Sequence, residues 1–217
     1  MKNRLHYTTI TPQLRNILLE LMHLKAFDDF RLVGGTALSL QLGHRQSVDI
    51  DLFTDMIYGT ADFKSIEQVL KLTYPYVDCS NQNLIALGKS FYVGQNKNEC
   101  VKLDVYYTDP FIRPARLIDG IRIADVEEII AMKMDVIARG GRKKDFWDLH
   151  ELMGIYTLQQ MLDLHYERYP IVHDEDLIKD NLTNFETADE DFEPICLRGK
   201  YWEFIKLDFL DFVKSDT

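Results

Sequence analysis

Cysteine is scarce in this chain. Its three copies, Cys79, Cys100 and Cys196, are odd in number, widely spaced and form no Cys-x-x-Cys pair. That argues against a disulfide scaffold and a zinc site, and it fits a reducing compartment. Glycine (11 copies) and proline (6 copies) are too few for a fibrous or low-complexity protein. Long hydrophobic runs are missing, so no membrane span is expected. The start, Met1-Lys2-Asn3-Arg4-Leu5-His6, lacks the apolar stretch of a signal peptide. Positive charge is also in deficit: 25 Lys and Arg stand against 35 Asp and Glu, a net charge of −10. Nucleic-acid binders are usually basic overall, so a large electrostatic footprint is disfavoured, while a local basic groove stays open. The deficit is concentrated at one end. Residues 174–217 hold 13 acidic and 5 basic side chains, whereas residues 1–173 hold 22 and 20.

Apolar content is ample. At 217 residues, 46% apolar and 28% charged, the chain can bury one core of ordinary size, with or without a helical appendage. The expectation is a cytoplasmic globular protein.

The order of elements reads as a mixed α/β half followed by a helical half. Thr11-Pro12 caps a helix whose Leu14, Ile17, Leu18, Leu21 and Met22 share a face. Phe30 to Val33 reads as a short buried strand, Gly34-Gly35 as its break, and Thr36 to Leu42 as a helix ended by Gly43. Ser47 to Phe53 is a second strand, and Phe63 to Leu72 a helix. Phe91 to Val93 and Cys100 to Tyr107 read as strands around a hairpin loop, Gly94 to Asn98. Ile121 to Ala124 is a further short strand. From Asp125 the pattern is helical. Helices are expected after Asp125, from Lys143 to Met153, from Thr157 (with Gln160) to Pro170, and from Asp174 to Phe185. An acidic loop, Glu186 to Pro194, precedes a last helix, Tyr201 to Val213. Its aromatics, Tyr201, Trp202, Phe204, Phe209 and Phe212, are expected in the core. A soft boundary falls near residue 124: 1–124 as an α/β core, 125–217 as a helical region packed on it.

Three features carry chemistry. Gly34-Gly35-Thr36 lies between a strand end and a helix start, where backbone N–H groups and a hydroxyl can meet an anion; ordinary Gly-Gly turns look the same. Asp49-Ile50-Asp51 lies on a strand, so its two carboxylates share one face. Such a pair is unfavourable unless neutralised, and oxygen ligands suit Mg²⁺ or Mn²⁺; a solvated edge strand is the plain alternative. Asp104 interrupts an apolar strand and needs a partner or a wet cleft. If its strand neighbours Asp49–Asp51, three carboxylates can hold two metals for an in-line phosphoryl displacement. Ser47 shares the face of Asp49 and Asp51, and Arg45 stands close enough in sequence to reach phosphates. His44 has no evident chemical role and reads as a packing or surface residue. Lys133 lies on a helix among apolar neighbours, within reach of a triphosphate. Asp145 and Asp148 share a helix face, beside Arg142, Lys143 and Lys144; a surface ion-pair network fits them equally. Arg139 to Lys144 is the one dense basic stretch, with Arg113 and Arg116 a minor one. Either reads as an RNA-backbone contact or a solvated charge run.

The order Gly-Gly at a helix start, Asp-x-Asp fourteen residues after Gly35, then a later strand Asp resembles the nucleotidyltransferase superfamily of the DNA polymerase β type. The stretch Gly34-Gly35-Thr36-Ala37-Leu38, then Gly43-His44-Arg45-x-Ser47-x-Asp49-x-Asp51-Leu52-Phe53, is similar to the AbiEii/AbiGii toxin family of that superfamily. Lys133, Arg139 and Lys143-Lys144-Asp145-x-x-Asp148-Leu149 resemble its later motifs. The likeness covers roughly residues 30–153, and residues 154–217 carry none of these motifs.

The resemblance implies an α+β fold: a nucleotidyltransferase-type mixed β-sheet flanked by helices, then a C-terminal helical bundle. It implies a metal-dependent enzyme that moves NMP from an NTP to an acceptor hydroxyl. Gly34, Gly35 and Thr36 would cradle the phosphates, with Arg45 and Ser47 beside them. Asp49, Asp51 and Asp104 would hold Mg²⁺ or Mn²⁺, and Asp104 would help deprotonate the acceptor. Lys133 would neutralise the triphosphate, and Asp145 would act near the base or acceptor. It also implies an RNA acceptor such as tRNA, a toxin–antitoxin or phage-defence setting, and a separate antitoxin protein. A small-molecule or protein acceptor, or a nucleotide-binding module without turnover, are the alternatives. A phosphatase with an Asp-x-Asp nucleophile fits less well, because Phe53 holds the position where that class has Thr or Val.

Overall fold

The structure, a computed structural model of the chain, describes residues 4–79 and 87–215. Met1 to Asn3, half of the opening stretch searched for a leader, lie outside the described residues. One seven-stranded mixed sheet forms the centre, in the order β3-β4-β5-β2-β1-β7-β6. Its strands are β1 (Arg31–Leu32), β2 (Asp49–Thr54), β3 (Tyr76–Cys79), β4 (Gly88–Asn96), β5 (Glu99–Tyr107), β6 (Arg116–Ile118) and β7 (Ile121–Ile123). Antiparallel pairs join β3, β4 and β5, while β2 runs parallel to β5 and antiparallel to β1. The fold is α+β.

Helices α1 (Pro12–His23), α2 (Gly34–Leu42) and α3 (Phe63–Thr73) belong to the first half. Thr11 caps α1 by accepting from Leu14 N–H at 3.1 Å, with proline at the first helical position. The second half supplies α4 (Val126–Ala138), α5 (Lys143–His150), α6 (Leu158–Arg168), α7 (Glu175–Leu182), α8 (Glu186–Asp189) and α9 (Trp202–Lys214). The Thr157–Gln160 capping box opens α6, as its spacing indicates. One hydrophobic cluster runs from Leu14 and Leu18 through Ile50 and Leu103 to Ile130, Trp147, Leu162 and Phe209. Each such fully buried aliphatic or aromatic side chain contributes about 1.5–3 kcal/mol.

The structure corrects several sequence expectations. Gly34 and Gly35 do not break the chain before a helix; they form the first turn of α2. Strand β4 runs on through Gly94, Gln95 and Asn96, so the hairpin closes on Lys97 and Asn98 alone. Asn96 closes it, its side-chain oxygen accepting from the N–H groups of Asn98 and Glu99. The acidic loop after residue 185 holds the short helix α8, anchored by buried Ala188. In α9 Trp202, Ile205 and Phe209 are buried and Phe212 is half-buried against the core, while Phe204 and the capping Tyr201 are exposed.

Candidate active site

The N-terminus of α2 is built to touch other groups closely. Val33 caps it without any side-chain hydrogen bond, so the cap residue leaves the first-turn N–H groups uncovered. Gly34 sits at φ +67°, a conformation glycine adopts without strain. A Cβ there would lie 2.5 Å from Asp51 Oδ2, and one on Gly35 would strike Arg45 Nη2. The glycines therefore let the helix end abut a carboxylate and a guanidinium at once. Thr36, expected at the phosphates, spends its hydroxyl within the protein. It is fully buried, donates to the Asp49 carbonyl and stands 2.8 Å from Ser47 Oγ. Ser47 lies two residues before β2 begins, tied by its N–H to the Thr9 carbonyl at 2.9 Å.

Strand alternation fixes the carboxylates. In β2, Ile50, Leu52 and Thr54 are buried, while Asp49, Asp51 and Phe53 face a half-open side. Asp51 pairs with Asp104 and Asp49 with Lys102 across the parallel β2–β5 ladder, so all four share that side. Lys102 Nζ approaches Asp104 Oδ2 at 2.5 Å, whereas the buried Asp104 Oδ1 has no partner among the described residues. Burial first, then the charges of Asp104 and Asp49, push the Asp51 carboxyl up to about 6.

Behind this face lies an ion cluster centred on Asp148, which is fully buried. Arg45 binds it bidentately, Nε to Oδ1 at 2.6 Å and Nη2 to Oδ2 at 2.8 Å. His44 Nε2 donates to Oδ1 at 2.8 Å, and Lys133 Nζ stands 2.8 Å from Oδ2. Lys133 also binds Asp145 Oδ1, while Asp145 Oδ2 accepts from the Arg142 N–H at 3.0 Å and so caps α5. Burial alone would raise the Asp148 carboxyl. Arg45, Lys133 and His44 instead hold it well below the usual carboxylate range. The C-terminal region closes over this cluster: Gln46 N–H donates to the Ile195 carbonyl and Leu197 N–H to the His44 carbonyl. The cluster joins the α2–β2 connection to α4 and α5, which are about ninety to a hundred residues further along the chain.

A cavity of about 680 Å³ opens beside the carboxylates; Gly34, Asp51 and Lys133 line it together with Tyr58, Tyr107 and Tyr169. The model of the family described as "Nucleotidyl transferase AbiEii toxin, Type IV TA system" matches residues 16–216. The chain belongs to the AbiEii nucleotidyltransferase toxin family. An uncharacterized protein of Aquifex aeolicus (strain VF5) is 33% identical over 211 residues, covering 93% of this chain and 94% of that one. Among solved structures, MenT4, a nucleotidyltransferase toxin of Mycobacterium tuberculosis H37Rv, matches with a TM-score of 0.59 at 17% identity. That match covers 91% of this chain and 79% of MenT4. JHP933 of Helicobacter pylori matches with a TM-score of 0.53 at 22% identity, over 94% and 88% of the two chains. These two likenesses establish the shared fold.

Within this AbiEii-family chain, the donor chemistry fits a divalent cation. Asp49, Asp51 and Asp104 are hard oxygen ligands on one face, Asp104 Oδ1 is unsatisfied, and Gly34 leaves the space against Asp51 clear. Among the described residues, however, no three His, Cys, Asp or Glu side chains stand where they could together hold a metal ion. Sequence reasoning placed Arg45 and Lys133 at the phosphates, but the structure commits both to buried carboxylates. Near the site, one cation left without a carboxylate partner among the described residues is Lys144. Its ammonium is half-buried at the start of α5. Burial, then repulsion from Arg142 and Lys133, lowers its proton affinity. Its charge in turn stabilises the Asp51 carboxylate. The minor basic stretch is also occupied: Arg113 binds Glu127 and Glu167, and Arg116 faces Asp125 at 3.9 Å. Sequence reasoning missed Lys102, the central role of Asp148, and the bond from His44 to it. The signal for Asp148 was present in its i+3 spacing from Asp145, yet nothing local says which oxygen meets which cation.

Proposed function

We propose that this protein transfers a nucleoside monophosphate from an NTP to an acceptor hydroxyl and releases pyrophosphate. The observation that carries the reading is the registered Asp51–Asp104 pair beside the uncapped, glycine-built N-terminus of α2. Gly34 and Gly35 present backbone N–H groups to the phosphates. Lys144 supplies the neutralising charge, and Arg45, Lys133, Asp145 and Asp148 hold α5 and α2 in place around it. Thr36 and Ser47 fix the entry into β2. Asp49, Asp51 and Asp104 would hold Mg²⁺ or Mn²⁺, which when bound supplies charge neutralisation at the transferred phosphoryl group. Asp104 also accepts the proton of the acceptor hydroxyl.

Family membership supports a toxin with a cognate antitoxin, acting in the cytoplasm on an RNA such as tRNA, in a toxin–antitoxin or phage-defence setting. A specific observation keeps a second acceptor class in play. Arg113 and Arg116 are neutralised by carboxylates, which favours a small-molecule or protein hydroxyl over a long RNA backbone. The deciding experiment incubates the protein and its Asp49→Ala/Asp51→Ala variant with Mg²⁺, each α-³²P NTP and total cellular RNA. Label entering a tRNA-sized band only with the intact carboxylates supports the RNA reading. Pyrophosphate release without RNA labelling moves the acceptor to a small molecule or protein. Equal labelling by the variant removes the mechanism.

A further inference from the structure

The cavity beside Asp51 extends well beyond the groups that nucleotidyl transfer requires. It follows one face of α4, where Ile129, Lys133, Val136 and Arg139 recur at helical spacing. From Ile129 to Arg139 is about 15 Å of helix axis, long enough to lay a nucleoside along it. Its walls are largely apolar and aromatic, and the rings of Tyr58 and Tyr107 stand 5.4 Å apart.

Charge decides what does not enter. Asp51, Asp55, Asp109 and Asp135 line the cavity against only Lys133 and Arg139. Both cations are already spent, Lys133 on Asp145 and Asp148, Arg139 on Asp135. Away from the Gly34–Asp51 end, where no bound cation would offset these carboxylates, a polyphosphate is repelled. A flat, uncharged group that stacks and donates hydrogen bonds is accepted.

The wall carrying Asp109 is held rigid from the helical half. Arg168, buried at the end of α6, uses every guanidinium N–H. Nε donates to Tyr169 Oη at 2.8 Å, and Nη1 donates to the Pro110 carbonyl at 3.0 Å and to Glu128. Nη2 donates to Thr108 Oγ1 at 2.8 Å and to the Asp109 carbonyl at 3.2 Å. Glu128, equally buried, accepts in turn from the N–H groups of Ile112 and Arg113. Among the lining carboxylates, Asp55 accepts from Phe111 N–H and Asp135 is paired with Arg139. Asp109 lines the cavity, and its carboxylate has no partner among the described residues, so a preorganised loop places an unpaired acceptor at the cavity wall.

We infer that this cavity receives the nucleobase of the NTP, stacked against Tyr58, and that Asp109 selects bases carrying an exocyclic amine over uracil. The inference rests on the nucleotidyl-transfer reading and names its base-recognition site. Cytosine and uracil make the sharpest comparison, because they differ in a donor amine against an acceptor oxygen at one ring position.

The test is equilibrium binding with Mg²⁺ and no acceptor, using CTP, UTP and inorganic tripolyphosphate as probes. The proteins are the parent, Asp109→Asn and Tyr58→Ala; both positions are exposed, so neither change threatens folding. The parent is expected to bind CTP about tenfold or more tightly than UTP. Asp109→Asn narrows that ratio, since an amide can donate to uracil. Tyr58→Ala weakens both nucleotides about tenfold and leaves tripolyphosphate unchanged. Equal affinity for CTP, UTP and tripolyphosphate overturns the inference while leaving nucleotidyl transfer standing. Failure of all three probes to bind overturns both.

Discussion

Replacing Asp148 with alanine strands Arg45 in a dry interior and takes one of two carboxylates from Lys133. The carboxylate is fully buried and takes two bonds from Arg45, one from His44 and the charge of Lys133. Lys133 would keep Asp145, but Arg45 would keep only the Gln46 carbonyl, at 2.9 Å. Removing one partner of a buried ion pair costs about 3–5 kcal/mol. Against a total stability of about 5–15 kcal/mol, that is a large share. For a chain of this size the cost corresponds to a Tm lower by about 6–20 °C. Guanidinium titration at constant m-value, with a thermal scan beside it, reads the effect. Asp148→Asn, which keeps an acceptor oxygen, should fall between parent and alanine. The pH dependence follows from the lowered proton affinity of Asp148 in the folded chain. Its contribution is complete above about pH 4, the unfolded value, and is lost as the pH falls through the lower folded value. The variant should therefore lose less stability on acidification than the parent. An alanine variant within about 0.5 kcal/mol of the parent at pH 7 would refute the assignment of Asp148 as the joint between the two halves.

Asp51 titrates in the opposite direction. Its folded value, about 6, is raised, so its unfavourable charge is absent below the unfolded value and develops as the pH rises through 6. Asp51→Asn, measured in chelator, should raise Tm at pH 7.5 and converge on the parent near pH 4; a lower Tm at pH 7.5 contradicts the crowding of carboxylates. Gly34→Ala puts a methyl 2.5 Å from Asp51 Oδ2 at a positive φ, and should lower stability by about 1 kcal/mol or more while abolishing label transfer. A stable, active Gly34→Ala protein would show that the helix end need not abut the carboxylate. Lys144→Met should leave the unfolding midpoint nearly unchanged and raise the KM for NTP, with Lys144→Arg restoring most of it. Lys133→Met should instead lower stability, and the reverse pattern would return the triphosphate to Lys133.

Elements and caps were legible wherever the signal is local. The faces of β2 follow from alternation alone, which puts Asp49 and Asp51 together and Ile50 and Leu52 opposite. Thr11-Pro12 and Thr157 with Gln160 announce their helices because capping is settled within four residues. The edge strands β3 and β6 escaped, since their largely unburied residues give little apolar signal, whereas the equally short β1 and β7 lie inside the sheet and were marked by buried apolar residues. In α9 the aromatics could be located but not assigned to a side, because five of them cover more than one face of the helix.

The glycine pair, the alternating carboxylates, the later Lys and Asp-x-x-Asp motifs and, through them, the family are visible in the order of residues. How their charges are used depends on the fold. Arg45 and Asp148 are separated by 103 positions and meet at 2.6 Å; Arg168 reaches back 59 positions to the carbonyl of Asp109. A charged side chain carries no mark of its partner. Which cation is neutralised in the interior and which is left for a ligand depends on distances set by packing, and that packing commits Lys133 and leaves Lys144 free beside Asp51.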